Sequence, residues 1–590
     1  MEEAPDFEYE KNKKVKISIV FLFFIFLTIF LAFTFIGIKG SDKKTPYLKT
    51  KFIDYSSRGN ILSSNSMSFA RSRTLYKVVI YKKYLDPNKK DILIDLFSKY
   101  TGVDKEVLKE KLLEDSNRVV FADKLNTQMA KSLKELKRDL DRLKVFHSKI
   151  KGSSFFLSMD IIKYKESREY PLGDTLEPYL GYIRADKNGE PYGVYGLESY
   201  YDNLLKSSKD RVLEGQRDRQ GIIIRDKNNK SVKKEDGFDV LTNINLKLQK
   251  SVEQILTKQK QKIGDEETEI IAGVMESNSG KLLAIASSRR YDPKNKIVKK
   301  LTISAIRKVY EPGSVIKPIF FSLLMSENKV KLQEVINTHN GRIKLSNGKV
   351  VKDEHRYPFL SAKNVIVHSS NVGMTELSAR ANPLKIADGF KRFGFGKKSR
   401  VDLSFELSGS IPEVVDMQNS IIMANLSYGY RMRANFFQLL SAYSVFNNSG
   451  YRVTPRIASI KVTTKNQREW IESVKPEKVL SKRVADKMHR VLNSVVTNGT
   501  GKATYIDGLD IGGKTGTAQL AERGVYVKKY NSSFYGFAND ARHKFTIGVV
   551  VFSPRSEGYV HFASQSAVPT FRLIVESMIE QKLLKPLSSK

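Results

Sequence analysis

Three short clusters of residues carry groups suited to acyl transfer. Ser314 follows Pro312-Gly313, and Lys317 comes three residues later, just ahead of the apolar run IFFSLLM. An unpaired ammonium is costly to bury, so a lysine one helical turn behind a serine either snorkels to water or is held there to take a proton. Kept poorly hydrated and near other cations, it has a lowered pKa and can act as base towards the hydroxyl. Ser369-Ser370-Asn371 offers a hydroxyl and an amide, able to relay a proton and to dock a peptide group. Lys514-Thr515-Gly516-Thr517 offers a cation, hydroxyls and backbone room for an extended substrate. A strand-edge N–H beside that of Ser314 would make an oxyanion hole, worth about 3 kcal/mol per donor. The first two clusters are weak alone. Ser-x-x-Lys recurs at Ser41/Lys44, Ser148/Lys151, Ser231/Lys234 and Ser326/Lys329, and Ser-Ser-Asn at 63–65, whereas Lys-Thr-Gly occurs once.

The surrounding pattern says which elements must hold these groups. Pro312-Gly313 mark a turn into a helix whose buried face is Ile316, Ile319, Phe320, Leu323 and Leu324. Pro318 falls in its first turn, where a missing N–H costs nothing. Ser314 then stands at a helix N-terminus, which favours developing negative charge, and Lys317 lies on the same face. Lys-Thr-Gly precedes an aromatic run and is expected on a strand edge. IIAGVME (270–276), LLAIAS (282–287) and FTIGVVVF (545–552) read as strands bracketing helical segments, so an α+β fold is expected, an antiparallel sheet with helices packed on it. Between residues 76 and 160, apolar runs such as YKVVIY alternate with lysine-rich helical patterns such as MAKSLKELKRDLDRL, whose basic faces are read as solvated. The charged stretch DKNNKSVKKEDG (226–237) is expected to end this first domain.

The 590 residues are too many for one core, and 41% hydrophobic content is that of a globular chain. The formal charge of +37 raises nucleic acid as a partner, yet it is spread along the whole chain. An anionic lipid surface or another anionic polymer fits that spread better. With no cysteine and seven histidines lacking paired ligand spacing, neither a disulfide nor a zinc site is expected, and no cofactor or metal is called for. Residues 17–38 hold no charged side chain, and at 1.5 Å per residue they reach about 33 Å, enough to cross a bilayer core. Lys11, Lys13, Lys14 and Lys16 precede the span and place a short tail, 1–16, in the cytoplasm. A single-pass anchor of the cytoplasmic membrane is expected, with everything after it outside. Nucleic acid is then out of reach.

In order, Ser-x-x-Lys, Ser-x-Asn and Lys-Thr-Gly are the set of the penicillin-interacting serine enzymes. From about residue 50 onward the chain resembles a class B penicillin-binding protein of the septal, FtsI-like type. Arg58-Gly59-Asn60-Ile61-Leu62 resembles the opening of that family's pedestal, and GVYGLESYYDNLL (193–205) its Gly-Leu-Glu segment. LTNINLKLQ (241–249) resembles the start of the transpeptidase domain, and MESNSGKLLAIAS (275–287) its first hairpin. SSNVGM and KTGTAQ resemble the division type rather than the elongation type.

The resemblance implies a pedestal over 39–237 and a penicillin-binding, serine β-lactamase-like transpeptidase domain over 238–590. It implies Ser314 as acylated nucleophile, Lys317 as base, Ser369 and Asn371 on the proton and the donor peptide. Lys514, Thr515, Gly516 and Thr517 would bind the terminal carboxylate, with the Ser314 and Thr517 N–H groups as oxyanion hole. The reaction implied is 4,3-type or related cross-linking of peptidoglycan stem peptides in septal cell-wall synthesis, with β-lactams as covalent inhibitors. An FtsW-type membrane glycan polymerase and other division proteins are the implied partners. Side-wall elongation, a β-lactam-hydrolysing or -sensing relative, and an inactive scaffold are the competing readings. The chain departs from the family pattern at Val315, at Arg431, Asn435 and Phe436 within SYGYRMRANFFQ, and at Ser63-Ser64-Asn65 after the Arg-Gly motif.

Overall fold

The computed structural model describes residues 6–41, 49–147, 159–187, 190–216, 223–224, 226–227, 229–291, 302–463, 465–522, 525–555 and 560–587. The first five residues of the expected tail, the Ser148/Lys151 pair and Lys44 lie outside the described residues.

Asp6–Ser41 is one helix. From residue 17 to 36 it is apolar on every side, and it is not buried by any other described residue, with Phe26 and Phe33 73% and 72% exposed. A helix with no polar face has no orientation that suits a water–protein boundary.

The next part of the chain forms a seven-stranded sheet. Ile61–Leu62 lies between Asp239–Thr242, with which it is parallel, and Ser68–Tyr81, with which it is antiparallel. Ser68–Tyr81 also pairs with Arg118–Leu125 and Met159–Glu169. Ala458–Val462 and Arg468–Trp470, from the second half of the chain, extend the other side. Helices Lys90–Thr101 and Thr127–Arg142 cover the distal end, the first through Phe97, over Val78, Ile80, Val119 and Phe121. In Thr127–Arg142, Ala130, Leu133, Leu136 and Leu140 are buried, which is the three-to-four-residue spacing its sequence shows. The Asn126 side chain starts that helix by accepting from Met129 N at 2.8 Å. The charged stretch at 226–237, expected to end the first domain, contains a strand. Lys230–Val232 is a strand on Arg211–Gln216, which pairs in turn with Lys49–Asp54, a long-range pairing that local composition does not report.

A buried ionic knot joins the two upstream motifs. Arg58 Nε donates to Glu198 Oε2 at 3.0 Å, and Arg168 Nε donates to Glu198 Oε1 at 2.6 Å. Arg168 also donates to Gly59 O at 2.7 Å. A Cβ on Gly59 would lie 1.9 Å from Phe238 O, so only glycine lets the chain pass there. Ser63-Ser64-Asn65 closes a turn in which Ser63 Oγ donates to Asn65 Oδ1 at 2.6 Å and accepts from Met67 N at 3.0 Å.

The second half is built on a five-stranded antiparallel sheet in the order 282–287, 269–276, 544–552, 525–539, 510–522. Two of its inner strands, 269–276 and 544–552, are buried on both faces, which is why they read as largely apolar runs. Alternation sorts their side chains. Ile270, Ala272 and Val274 join helices Leu246–Ile263 and Ala567–Glu580 on one face. Ile271 and Met275 join the larger core that holds Phe320, Phe436, Phe437 and Tyr443 on the other. Two helices of that core, Lys317–Ser326 and Phe436–Asn447, are sunk in it; every residue of the second is buried. Asn435, one of the departing residues, forms a capping box with Gln438, so the helix that follows is well started.

Candidate active site

Ser314 and Lys317 are aligned by a tight turn. Gly313–Ile316 is a 3-10 turn that leads into the helix Lys317–Ser326, with Pro318 in its first turn. In a 3-10 turn residues three apart eclipse, so the two side chains share a face. The expected helix is there, but its first turn is tighter than an α-helix. Tyr443 OH holds the turn from behind by donating to Val315 O at 2.7 Å; Val315 itself is fully buried.

The edge strand Asp510–Glu522 carries Lys514 to Thr517 against this turn. Two glycines permit the approach. Gly313 has φ +62°, and a Cβ on Gly516 would lie 2.9 Å from Val315 Cγ1 and 3.0 Å from Pro312 O. A third, Gly429 (φ +88°), lies so close to Gly313 that its Cβ would fall 2.0 Å from Gly313 O. Thus the segment that departs from the family pattern still backs the turn. Arg431, with φ +64°, donates its backbone N–H to Glu311 Oε1 at 2.8 Å.

Ser369 is the meeting point. It stands at φ +59°, between helices Ala362–Val367 and Asn371–Ser378. Lys317 Nζ donates to its carbonyl at 2.5 Å and its Oγ at 3.1 Å. Lys514 Nζ donates to the same Oγ at 2.9 Å, and to Thr515 O and Oγ1 at 3.1 Å each. Both lysines are fully buried. Burial pushes Lys317 down to about 7, while Asp353 and Glu354 pull it up. Burial, then the charge on Lys317, bring Lys514 well below the usual lysine range. Two amines crowded around one hydroxyl in a dry site shed a proton more readily than two in water.

Asn371 donates its side-chain amide to Lys352 O at 3.2 Å. Its helix is anchored by Asp353, whose carboxylate accepts from Asn371 N at 2.5 Å, Val372 N at 3.0 Å and Ser370 Oγ at 2.5 Å. Thr515 Oγ1 meets Thr500 Oγ1 at 2.7 Å, and Thr517 Oγ1 accepts from Ala563 N at 3.2 Å. Ser314, Ser369, Asn371, Thr515 and Thr517 line one open cleft of about 420 Å³. Lys317 and Lys514 form its floor, and Gly516 lies buried between strand and turn.

All eight residues singled out in the sequence therefore converge. The two rival pairs that lie wholly among the described residues do not: Ser231/Lys234 lies on and just past the Lys230–Val232 strand, and Ser326 ends the helix that Lys317 begins. Asp353, Thr500, Tyr443 and the cleft-lining Glu354, His355, His368, Tyr530 and Phe562 were not legible. Asp353 sits in VKDEHR, which has no pattern to single it out. Among the described residues, no group of three or more His, Cys, Asp or Glu is placed to hold a metal ion.

The family described as Penicillin binding protein transpeptidase domain matches residues 270–576, and Penicillin-binding Protein dimerisation domain matches 53–242. Stage V sporulation protein D of Bacillus subtilis (strain 168) is 26% identical over 539 residues, 90% of this chain and 79% of that protein. Peptidoglycan D,D-transpeptidase FtsI of Escherichia coli (strain K12) is 26% identical over 434 residues, 72% of this chain and 69% of that one. Penicillin Binding Protein 2X from Streptococcus thermophilus shares the fold with a TM-score of 0.73 and 21% identity, over 89% of this chain and 80% of that one.

Proposed function

The chain belongs to the penicillin-binding protein transpeptidase family, as a class B member with a dimerisation domain ahead of the transpeptidase domain, and from that premise we propose that it cross-links peptidoglycan stem peptides as a serine-type D,D-transpeptidase. The observation that carries the reading is the convergence of buried Lys317 and Lys514 on Ser369 Oγ, one turn behind Ser314.

Ser314 Oγ attacks the penultimate D-Ala carbonyl of the donor, and its proton passes to neutral Lys317 Nζ. The oxyanion sits between the N–H groups of Ser314 and Thr517. As the C–N bond breaks, the leaving D-Ala amine takes a proton by way of Ser369 Oγ. An acceptor amine then attacks the ester, its proton returns through Lys317, and Ser314 Oγ is released. Lys514, Thr515 and Thr517 hold the terminal carboxylate beside Gly516, and the Asn371 amide docks the donor peptide. A β-lactam acylates the same serine, but its leaving amine stays tethered.

The apolar helix serves as a single-pass anchor, N-terminus inside, with the pedestal (39–237) and transpeptidase domain (238–590) outside the cytoplasmic membrane. The SSNVGM and KTGTAQ motifs and the FtsI-named relatives support a septal role in division, with an FtsW-type glycan polymerase and other division proteins as partners. A sporulation-named relative keeps the coarser reading, peptidoglycan transpeptidation, as the firmer one.

Incubating the protein with a penicillin and measuring intact mass tests the chemistry. A single stable adduct, lost in Ser314→Ala, is expected; rapid turnover of the adduct would indicate a hydrolase, and no adduct on folded protein an inactive scaffold. Depletion in cells tests the role, with filaments expected and rounded cells pointing to side-wall elongation.

A further inference from the structure

Among the described residues, the strand that carries Lys514, Thr515 and Thr517 has a sheet partner on one side only, Val525–Asn539. Helix Lys482–Asn498 and the residues just after it brace it at two points. Towards the cleft the brace is the contact between Thr500 and Thr515. At the strand's start it is Asp510, whose carboxylate accepts from His489 Nε2 at 2.9 Å, Asn493 Nδ2 at 2.7 Å and Asn539 Nδ2 at 2.9 Å. Although burial pushes Asp510 up, the bonds from His489, Asn539 and Asn493 hold it down at about 2, so it is a carboxylate and accepts only.

The other ring nitrogen of His489, Nδ1, faces Phe446 O at 3.1 Å. A backbone carbonyl also only accepts. Both ring nitrogens of His489 therefore face acceptors. Its ring lies flat on Phe537, centroids 4.0 Å apart and planes 20° apart. Phe446 belongs to the helix Phe436–Asn447, whose Tyr443 holds the Ser314 turn through Val315 O. One ring thus ties together the support of the Lys514–Thr517 strand and the support of the Ser314 turn.

We infer that His489, acting through Asp510, is a positioning residue for acyl transfer: it seats the Lys514–Thr517 strand against the Ser314 turn. This rests on the transpeptidase reading above. An oxyanion donor on that strand works only within about 2.7–3.1 Å of the developing charge, and a misplacement of about 1 Å can cost up to roughly 100-fold in rate. The strand is also held by its pairing with Val525–Asn539 and by the contacts of Thr500 with Thr515 and of Ala563 N with Thr517, so loosening its start weakens its seat against the turn without releasing the strand.

The test measures penicillin acylation of the full chain over a range of drug concentrations, with thermal unfolding alongside, for His489→Ala, His489→Gln and Asp510→Asn. The maximal acylation rate should fall about tenfold in His489→Ala, and Gln, whose amide can still donate to Asp510, should restore it to within about threefold. The double variant His489→Ala/Asp510→Asn should be no slower than the slower single variant. A purely structural role would instead lower the unfolding temperature of Ala and Gln alike and leave the acylation rate of folded protein unchanged, which overturns the inference. Multiplicative effects in the double variant overturn it too. If His489→Ala does not fold, the Gln and Asn variants carry the same comparison: a near-normal rate for Gln and a tenfold loss for Asn support the inference, and equal rates sink it. Failure of the wild-type chain to form any adduct would strike the transpeptidase reading itself, a different outcome from wild-type acylation with indifferent variants.

Discussion

Lys317 answers why a lysine stands behind Ser314. Its folded pKa is lowered to about 7 from 10.5, so between those values the folded state binds fewer protons than the unfolded one, and stability rises with pH. At pH 7.5 the burial costs roughly 4 kcal/mol. Lys317→Met should therefore abolish acylation yet raise the unfolding free energy by a few kcal/mol, read by denaturant titration; a destabilised variant would contradict the low pKa. In the wild type, acylation should fall as pH drops through about 7 and Lys317 takes up its proton, which a pH–rate profile for penicillin would show. Glu177 gives the opposite sign. Burial pushes its carboxyl up to about 8, and its Oε2 has no hydrogen-bond partner among the described residues. The folded state then holds a proton that the unfolded state releases above about 4.5, so stability falls from pH 5 to pH 8. Glu177→Gln should flatten that fall and stabilise the protein at pH 8 by about 3 kcal/mol or more, as pH-dependent melting curves would report.

At the scale of elements, the site is a seam between one strand edge and one tight turn. Helices and strands whose own pattern carries them were legible: Thr127–Arg142 by its stripe, and the inner sheet strands by their apolar runs. What two elements need in order to touch was not. Gly516 is part of a motif, but its role in packing follows from the Val315 and Pro312 atoms a Cβ would meet. Gly516→Ala should push the strand off the turn and slow acylation by about 100-fold or more, with only a modest change in unfolding temperature. A near-normal acylation rate would show that the turn can give way instead. Asp353 likewise anchors Asn371 from a segment remote in sequence, and no local signal marks it.

For the whole molecule, the two upstream motifs meet in the Arg58–Glu198–Arg168 knot, where Glu198 is fully buried and both guanidiniums are nearly so. Removing one partner leaves charges buried without compensation, which costs about 3–5 kcal/mol. Glu198→Ala should destabilise the pedestal by that order, seen as an early unfolding transition, while Ser314 acylation by penicillin below that transition stays intact. Loss of acylation in the folded variant would mean that the knot shapes the cleft as well. The seam between the halves is also covalently remote: Tyr201 OH donates to buried Asp402 at 2.7 Å, and Asp402 accepts from Ile457 N and Ala458 N.

The sequence by itself determined the apolar helix and the strand-and-helix character of the second half, because each is written in local spacing: an unbroken apolar run, a period of two or of three to four. The eight site residues were marked instead by three motifs standing in one order, since a serine and a lysine one turn apart recur elsewhere in the chain. Only the tertiary structure decided that the pedestal sheet takes strands from 458–470, that Lys230–Val232 pairs with Arg211–Gln216, and that Asp353, Thr500 and His489 stand behind the site. Those contacts join residues far apart along the chain. A hydrogen bond or a close backbone approach depends on where two elements meet in space, and neither partner's neighbours in sequence record it.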